Sequence, residues 1–318
     1  MNAMLPQIST LIHQSVMLFR YFLSGLFISC LAIRFFVKDW IDAFSVVYYS
    51  TPLPLLATFS FMLGIIWLAG KRTRVAQVYF IFTIVCLLAW SCESFSLNSR
   101  VSAPSNLKLF FWNAASNKSA NEIASHIHSF DADVIGIVES GIKKKTETIW
   151  KNVFSNYHVE PLADGMALIT RGKILSKERG SLGRRGHFNL LEVALNGERF
   201  HVLLVDLDGD PFQSRSPAFE QLSKMIRSYS PANLIVMGDF NTPLDSVLFE
   251  SFRQYLTHAF ESGGIGFAKT WPIPLPVLAI DHIWVSKKIK VVNCNLNSSR
   301  FSDHRAVVAN IETPLSWP

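Results

Sequence analysis

The chain has 318 residues, of which 49% are hydrophobic and 17% charged, with a formal net charge of +6. That length is ample for a large buried core and leaves room for more than one domain. The charge does not imply a polyanionic partner: residues 1–100 hold seven Lys/Arg and three Asp/Glu, which leaves 23 and 21 for residues 101–318 and a net of only +2 there.

Apolar residues concentrate at the start, in runs over 15–37, 45–69 and 75–92. Each run suffices, as a helix, to cross roughly 30 Å of hydrocarbon. No small-residue cleavage site follows the first, which sets aside a signal peptide. Three transmembrane helices are therefore predicted within a membrane region, 1–99. Arg20 and Arg34 lie near the ends of the first run, where long side chains can snorkel to the headgroups. Pro52 and Pro54 suit the first turn of the second helix. Lys71, Arg72 and Arg74 crowd the short loop before the third. Basic short loops stay in the cytoplasm, so everything after about Ser94 is expected on the far side. In a bacterial inner membrane that side is the periplasm or cell exterior. Cys92 and Cys294 would both lie there, where a disulfide is permitted, but nothing in the sequence brings them together.

A polar linker, 100–106, leads to a soluble domain over 107–318. Leu107 to Trp112 reads as a buried strand ending at Asn113. Ser119 to Phe130 has helical spacing in Ile123, Ile127 and Phe130. Asp133 to Glu139 and Met166 to Thr170 are further apolar strands. Leu190–Leu195 and Phe200–Leu207 form a hairpin around Asn196-Gly197, a strong two-residue turn signal. Ser216 to Ser228 is a helix with Phe219, Leu222, Met225 and Ile226 on one face. Strands over Asn233–Asp239, Ile280–Val285 and Ala306–Ile311 complete the domain. Many strands with hairpins and few helices predict an α/β sandwich of mixed sheets, not a doubly wound parallel sheet.

Several of these strands end in a side chain that can bind a metal or a phosphate: Asn113, Glu139, Asp239 with Asn241, Asp281, and Asp303 with His304. Asp239 and Asn241 are two residues apart, which in extended backbone aims both to one side. Strand ends along one sheet edge converge. An oxygen-rich donor set with few cysteines suits a hard cation, Mg²⁺ or Mn²⁺, better than zinc, for which no His/Cys spacing is present.

The segments FWN (111–113), ADVIGIVES (132–140), GMALITR (165–171), LIVMGDFNTP (234–243), IDHIWVS (280–286) and FSDHRAVVANI (301–311) together resemble the endonuclease/exonuclease/phosphatase superfamily, the deoxyribonuclease-I-like fold. The likeness covers about two thirds of the chain; TWP at 270–272 resembles a bacterial membrane-anchored subgroup. It implies a four-layered α/β sandwich of two mixed sheets flanked by helices, and metal-assisted hydrolysis of a phosphoester. By that resemblance Glu139 is the main metal ligand, with Asn113 and Asp303 near the metal. Asp239 orients or deprotonates the attacking water, and Asn241 holds a phosphate oxygen. His304, paired with an acid, stabilises charge building on the phosphoryl group, and Asp281 binds metal or steers a polar group.

One position departs from the pattern. Where the family usually has a catalytic His, this chain has Asp206 or Asp208, in His201-Val-Leu-Leu-Val-Asp-Leu-Asp-Gly-Asp-Pro211. An imidazolium donates to phosphate; a carboxylate repels it. Either an Asp here binds a second cation, or a neighbour such as His187 or Arg185 supplies the donor, or catalysis is weak; the acidic run is equally readable as a solvated turn. His201 is at the wrong end of its strand to substitute. The expected function is a membrane-anchored, divalent-metal-dependent phosphodiesterase or nuclease acting on nucleic acid or a lipid headgroup. The alternative is a binding or scaffold module on the same fold.

Overall fold

The computed structural model describes residues 4–98, 105–115, 119–142, 146–231 and 233–313. Most of the predicted linker, 100–106, lies outside them. The chain divides into two compact units, Met1–Glu93 and Ser94–Pro318.

The first unit is helical: α1 (Met4–Ala32), prolonged by a π-helical turn (Ile33–Val37), α2 (Asp42–Ser50), α3 (Leu53–Ala69) and α4 (Thr73–Ser94). Two helices, Leu11–Val37 and Thr73–Ser94, are long and apolar enough to cross a membrane. The predicted second helix, 45–69, is not continuous: α2 and α3 meet at an angle of 73°, and they make a third span only if the bent pair counts as one. Pro52 causes the break. It sits in extended backbone as the N-cap of α3, and it disfavours helical geometry at Thr51 before it. Arg34 is 4% exposed, 3.1 Å from Glu93 Oε2, with its guanidinium over the Tyr48 ring. Pairing is one way to keep a charge among apolar helices.

The second unit opens with β1 (Phe95–Leu97), followed by β2 (Leu107–Asn113), α5 (Ala120–His128), β3 (Val134–Val138), α6 (Glu147–Val153), β4 (His158–Pro161) and β5 (Ala167–Thr170). Next come β6 (Lys173–Leu182), β7 (Gly186–Leu195), β8 (Glu198–Asp206), α7 (Ser216–Tyr229) and β9 (Leu234–Asp239). The unit closes with α8 (Glu250–Tyr255), β10 (Leu256–His258), α9 (Ala259–Gly263), β11 (Ile265–Phe267), β12 (Asp281–Ser286), β13 (Lys290–Asn297) and β14 (Ala306–Glu312).

One six-stranded sheet runs β13-β14-β2-β3-β5-β4 and the other β10-β12-β9-β8-β7-β6, while β1 pairs with β11 in a separate ribbon. Each large sheet holds one parallel pair, β2–β3 or β8–β9, among antiparallel neighbours. The period-2 alternation of strand side chains builds the layers. In β2, Leu109 and Phe111 pack against Leu204, Met237 and Ile283 of the facing sheet. Phe110 and Trp112, on the other side of the same strand, pack against Ile123, Ile127 and Trp150 from α5 and α6. On the far side of the second sheet, Leu203, Val205 and Val236 meet Phe219, Leu222 and Ile226 of α7, with Phe249 and Phe252. The result is the four-layered sandwich of helices, mixed sheet, mixed sheet and helices.

Candidate active site

Three adjacent strands of the second sheet carry an aspartate at the same level. Asp206 of β8 is in register with Asp239 of β9, and Asp239 with Asp281 of β12. Like charges side by side repel, so this row has to be offset by donors or cations. Gly238 is what lets β9 lie so close to β8: a Cβ there would sit 2.3 Å from the Val205 carbonyl oxygen.

The first sheet contributes Asn113, the last residue of β2, and Glu139, the first after β3. The buried Asn113 amide joins the two sheets, with Nδ2 donating to Glu139 Oε1 (3.1 Å) and to Asp239 Oδ2 (3.0 Å). Its Oδ1 accepts from the Ala115 N–H at 3.0 Å, and its carbonyl accepts from the Ser302 hydroxyl at 2.7 Å. Glu139 (φ 46°) and Asn241 (φ 48°) both adopt left-handed backbone. Non-glycine residues held there concentrate at functional sites. Asn241 therefore does not continue the strand, and the expectation that Asp239 and Asn241 share a side by simple alternation does not hold. A tight turn does the work instead: the Asn241 N–H donates to Asp239 Oδ1 (2.9 Å), and Asn241 Nδ2 donates to the Leu207 carbonyl (2.8 Å).

His304 enters from the loop before β14. Its Nδ1 lies 2.9 and 3.1 Å from the two Asp281 oxygens and 3.9 Å from Asp239 Oδ2. Asp239, Asp281 and His304 are all buried, and each brings one ligand atom to within 4.8 Å of the others. The backbone at His304 is fixed by its own N–H, which donates to Ser302 Oγ at 3.0 Å. Asp303 is exposed, and its Oδ2 accepts from Trp271 Nε1 at 3.0 Å.

Burial pushes the Asp239 carboxyl upward, and the charge of Asp281 adds to this; His304 and the Asn113 and Asn241 donors oppose it without prevailing. Asp206 is pushed up to about 8, by burial first and then by Asp239, Glu139 and Asp281. For His304, burial works downward, but Asp281, Asp239 and Asp303 together outweigh it and raise the imidazole to about 9. The ring is then an imidazolium at neutral pH. Its Nδ1–H is committed to Asp281, and Nε2–H is left as a donor. Carboxylate oxygens of Glu139 and Asp239, in a row of acids pushed up by burial and then by one another, fit a hard divalent cation, with the Asn113 Nδ2 holding the two carboxylates together.

Asp206, not Asp208, ends its strand at the site. Asp208 lies in the following turn, where Oδ1 accepts from the Asp210 N–H at 3.1 Å. His187 stands opposite Asp206 in the β7–β8 register, and its Nδ1 is 3.3 Å from Asp164 Oδ2. Arg185 is exposed, and His201 packs on the Tyr229 ring at the other end of β8.

A buried histidine chain supports the site and was not foreseen from the sequence. His258 Nδ1 accepts from the Glu261 N–H (3.2 Å), which leaves its Nε2–H to donate to His282 Nδ1 (3.2 Å). His282 Nε2–H in turn reaches the Thr242 carbonyl (3.3 Å), next to Asn241. His282 was visible in the IDHI segment, but His258, nearly 25 residues earlier, carries no pattern that joins the two.

A mixed-sheet sandwich with this Asn, Glu, Asp and Asp–His set at one edge is the architecture of a phosphoesterase fold. The sequence profile described as "Endonuclease/Exonuclease/phosphatase family" matches residues 106–304, and the chain belongs to that family. A mannosyl-6-phosphatase from Bacteroides thetaiotaomicron VPI-5482 superposes with a TM-score of 0.54 at 15% identity, over 65% of this chain and 99% of that one. The human Nocturnin catalytic domain with bound sulfate gives 0.51 at 17%, over 66% and 94%. D. rerio TDP2 complexed with single-strand DNA product gives 0.52 at 16%, over 65% and 99%. At these identities the likeness is one of fold. No curated protein matches the chain in sequence.

Proposed function

We propose that the protein is a membrane-anchored, divalent-metal-dependent phosphoesterase that hydrolyses phosphodiesters. The observation that carries this reading is the Asn113 amide, which ties Glu139 to Asp239, together with the Asp281–His304 pair beside them. Glu139 would hold the cation, with Asn113 and Asp303 alongside. A bound divalent ion lowers the pKa of water and neutralises developing negative charge. Asp239, fixed by two amide donors, orients the attacking water and takes its proton, a contribution of roughly 10²–10⁴-fold. One Asn241 amide hydrogen is committed to the Leu207 carbonyl, which fixes the group and leaves the other for a phosphate oxygen. The His304 imidazolium, oriented by Asp281, donates from Nε2 to the phosphoryl group.

The basic loop Lys71–Arg74 supports an extracytoplasmic site, on the periplasmic face of a bacterial inner membrane. The family's breadth leaves nucleic acid and lipid-type phosphodiesters both open, since one fold hosts many substrates. A binding module on the same fold is the competing reading, and Asp206 is the observation that favours it.

The test is turnover of a chromogenic phosphodiester by the full chain in detergent, with Mg²⁺ or Mn²⁺ and with chelator. Chelator-sensitive hydrolysis lost in Asp239→Ala, with normal folding, is expected. No turnover with either metal would leave the binding module standing.

A further inference from the structure

Among the described residues of the second unit, three large apolar side chains are strongly exposed: Leu97 at 94%, and Phe212 and Leu275 at 78% each. Leu97 belongs to the β1–β11 ribbon. The other two stand on loops that are hydrogen-bonded to the candidate site.

Phe212 lies in the turn between Asp206 and α7. That turn is closed on itself: the Asp210 N–H donates to Asp208 Oδ1 and the Phe212 N–H to Asp210 Oδ1. The Asn241 amide holds its start through the Leu207 carbonyl. Leu275 is at the tip of a loop whose base is a bridge between Trp271 and Leu278, with N–H···O contacts of 2.9 and 3.0 Å. Asp303 holds this loop twice, accepting from Trp271 Nε1 at 3.0 Å and, through its carbonyl, from the Ile273 N–H at 2.8 Å. Three prolines, at 272, 274 and 276, restrict its backbone. Both apolar tips are thus presented on ordered loops, so burying them on a partner spends little conformational entropy.

The chemistry of the tips selects the partner. The segment 271–278 (WPIPLPVL) holds no charged residue, and residues 101–318 carry a net of only +2. A surface that tracks a nucleic-acid backbone is lined with Lys and Arg and stacks bases on aromatic rings, and Leu275 can do neither. Exposed Phe and Leu tips are what an interfacial protein puts into the headgroup–acyl boundary. The same chain carries helices able to cross a membrane, and β1 begins at the residue after α4 ends.

We propose that the site takes phosphoesters carried at a lipid surface, with Phe212 and Leu275 entering the apolar layer beside it. This inference rests on the phosphoesterase reading for its chemistry, but its surface contact can be measured without turnover. Cys30, Cys86 and Cys294 are buried and Cys92 is exposed, so a Cys92→Ser background allows nitroxide labelling at Phe212→Cys or Leu275→Cys. The full chain is reconstituted in phosphatidylcholine–phosphatidylglycerol vesicles, and the accessibility of each label to oxygen and to a water-soluble nickel chelate is compared. Labels in the oxygen-rich, chelate-poor layer are the expected result; labels fully open to the chelate overturn the proposal, whatever the activity. In parallel, Phe212→Ser and Leu275→Ser are assayed on phosphatidylglycerol in mixed micelles and on the soluble chromogenic phosphodiester. Lipid turnover should fall roughly tenfold for each side chain removed, with soluble-substrate turnover unchanged. Equal effects on both substrates would overturn it. Inserted labels on a protein that hydrolyses neither substrate would instead refute the phosphoesterase reading and leave the lipid contact in place.

Discussion

Asp206 offers the sharpest test of the site's electrostatics. In the cation-free protein its carboxyl is raised from 3.8 to about 8 by burial and by Asp239, Glu139 and Asp281. The folded protein therefore keeps a proton that the unfolded chain releases above pH 4. The contribution of Asp206 to stability is full below pH 4 and is lost as pH rises toward 8, at about 1.4 kcal/mol per pH unit. Between pH 5 and pH 7 that amounts to about 3 kcal/mol, a large share of a domain's net stability. Asp206→Asn keeps the shape and removes the titration. Other groups titrate in the same window, so the quantity to measure is the difference between wild type and variant. Strand-amide hydrogen exchange in β8 and β9 of the full chain, in detergent with chelator, referenced to intrinsic rates at pH 5, 6 and 7, reports it. The variant should gain about 3 kcal/mol on the wild type over that interval. Saturating Mg²⁺ should shrink the gain, because a cation offsets the same repulsion. Parallel pH profiles for the two proteins would show that Asp206 does not feel the neighbouring acids, and the electrostatic reading of the row would fail.

Four further outcomes are expected. His258 is held at about 3, by burial and then by Arg253, against 6.5 when exposed; its stabilisation is present above pH 6.5 and should fall by about 2 kcal/mol on acidification to pH 5, and because His282 is held down likewise, His258→Phe should remove about half of the pair's acid limb in the same exchange experiment. Gly238→Ala drives a Cβ into the Val205 carbonyl and should destabilise the domain by several kcal/mol, about 3 or more, with loss of any turnover. Phe249 packs its ring 4.9 to 5.4 Å from those of Phe219, Phe240, Phe252, His282 and Trp284, so Phe249→Ala should lower stability by about 3–5 kcal/mol, read by denaturant titration. With Mg²⁺ bound, which offsets the repulsion that keeps Asp206 protonated, Asp206→His replaces a carboxylate by a donor to phosphate, and kcat on the soluble phosphodiester should rise; an unchanged kcat would place Asp206 outside the phosphate's reach.

The parts of the fold that could be read from the sequence are those where burial imposes a period. β2, β3, β5, β8, β9, β12 and β14 are buried along most of their length and stand in the sequence as apolar runs. β6 was missed because it is an edge strand, exposed over Ser176 to Arg179, and no alternation marks it. β13 escaped for the same reason: it is the other sheet's edge, and its Asn293, Asn295 and Asn297 are not buried. An edge strand is specified by its partner's hydrogen bonds, and those are invisible to hydrophobic periodicity. The bend between α2 and α3 was written in Pro52 and Pro54, but composition alone let the run pass as one helix.

The site shows the same division. Its members were legible as strand-end polar residues; their connections were not, because each connection is a register or a loop. That Asp206, Asp239 and Asp281 stand in one row follows from β8–β9 and β9–β12 pairing, which no single segment encodes. The row also bears on the missing histidine. In the fold's usual arrangement a basic group at that strand end would break the run of acids and face the phosphate. Here the run is unbroken, and two consequences follow from the same geometry. Under the proposed function the site should bind positive charge more strongly than a histidine-bearing one and offer one donor fewer to a phosphate dianion. Competition by inorganic phosphate should therefore be weak in the wild type and stronger in Asp206→His, with metal affinity moving the opposite way. If both affinities rose together in the variant, Asp206 would be acting on the fold of the site and not on its charge.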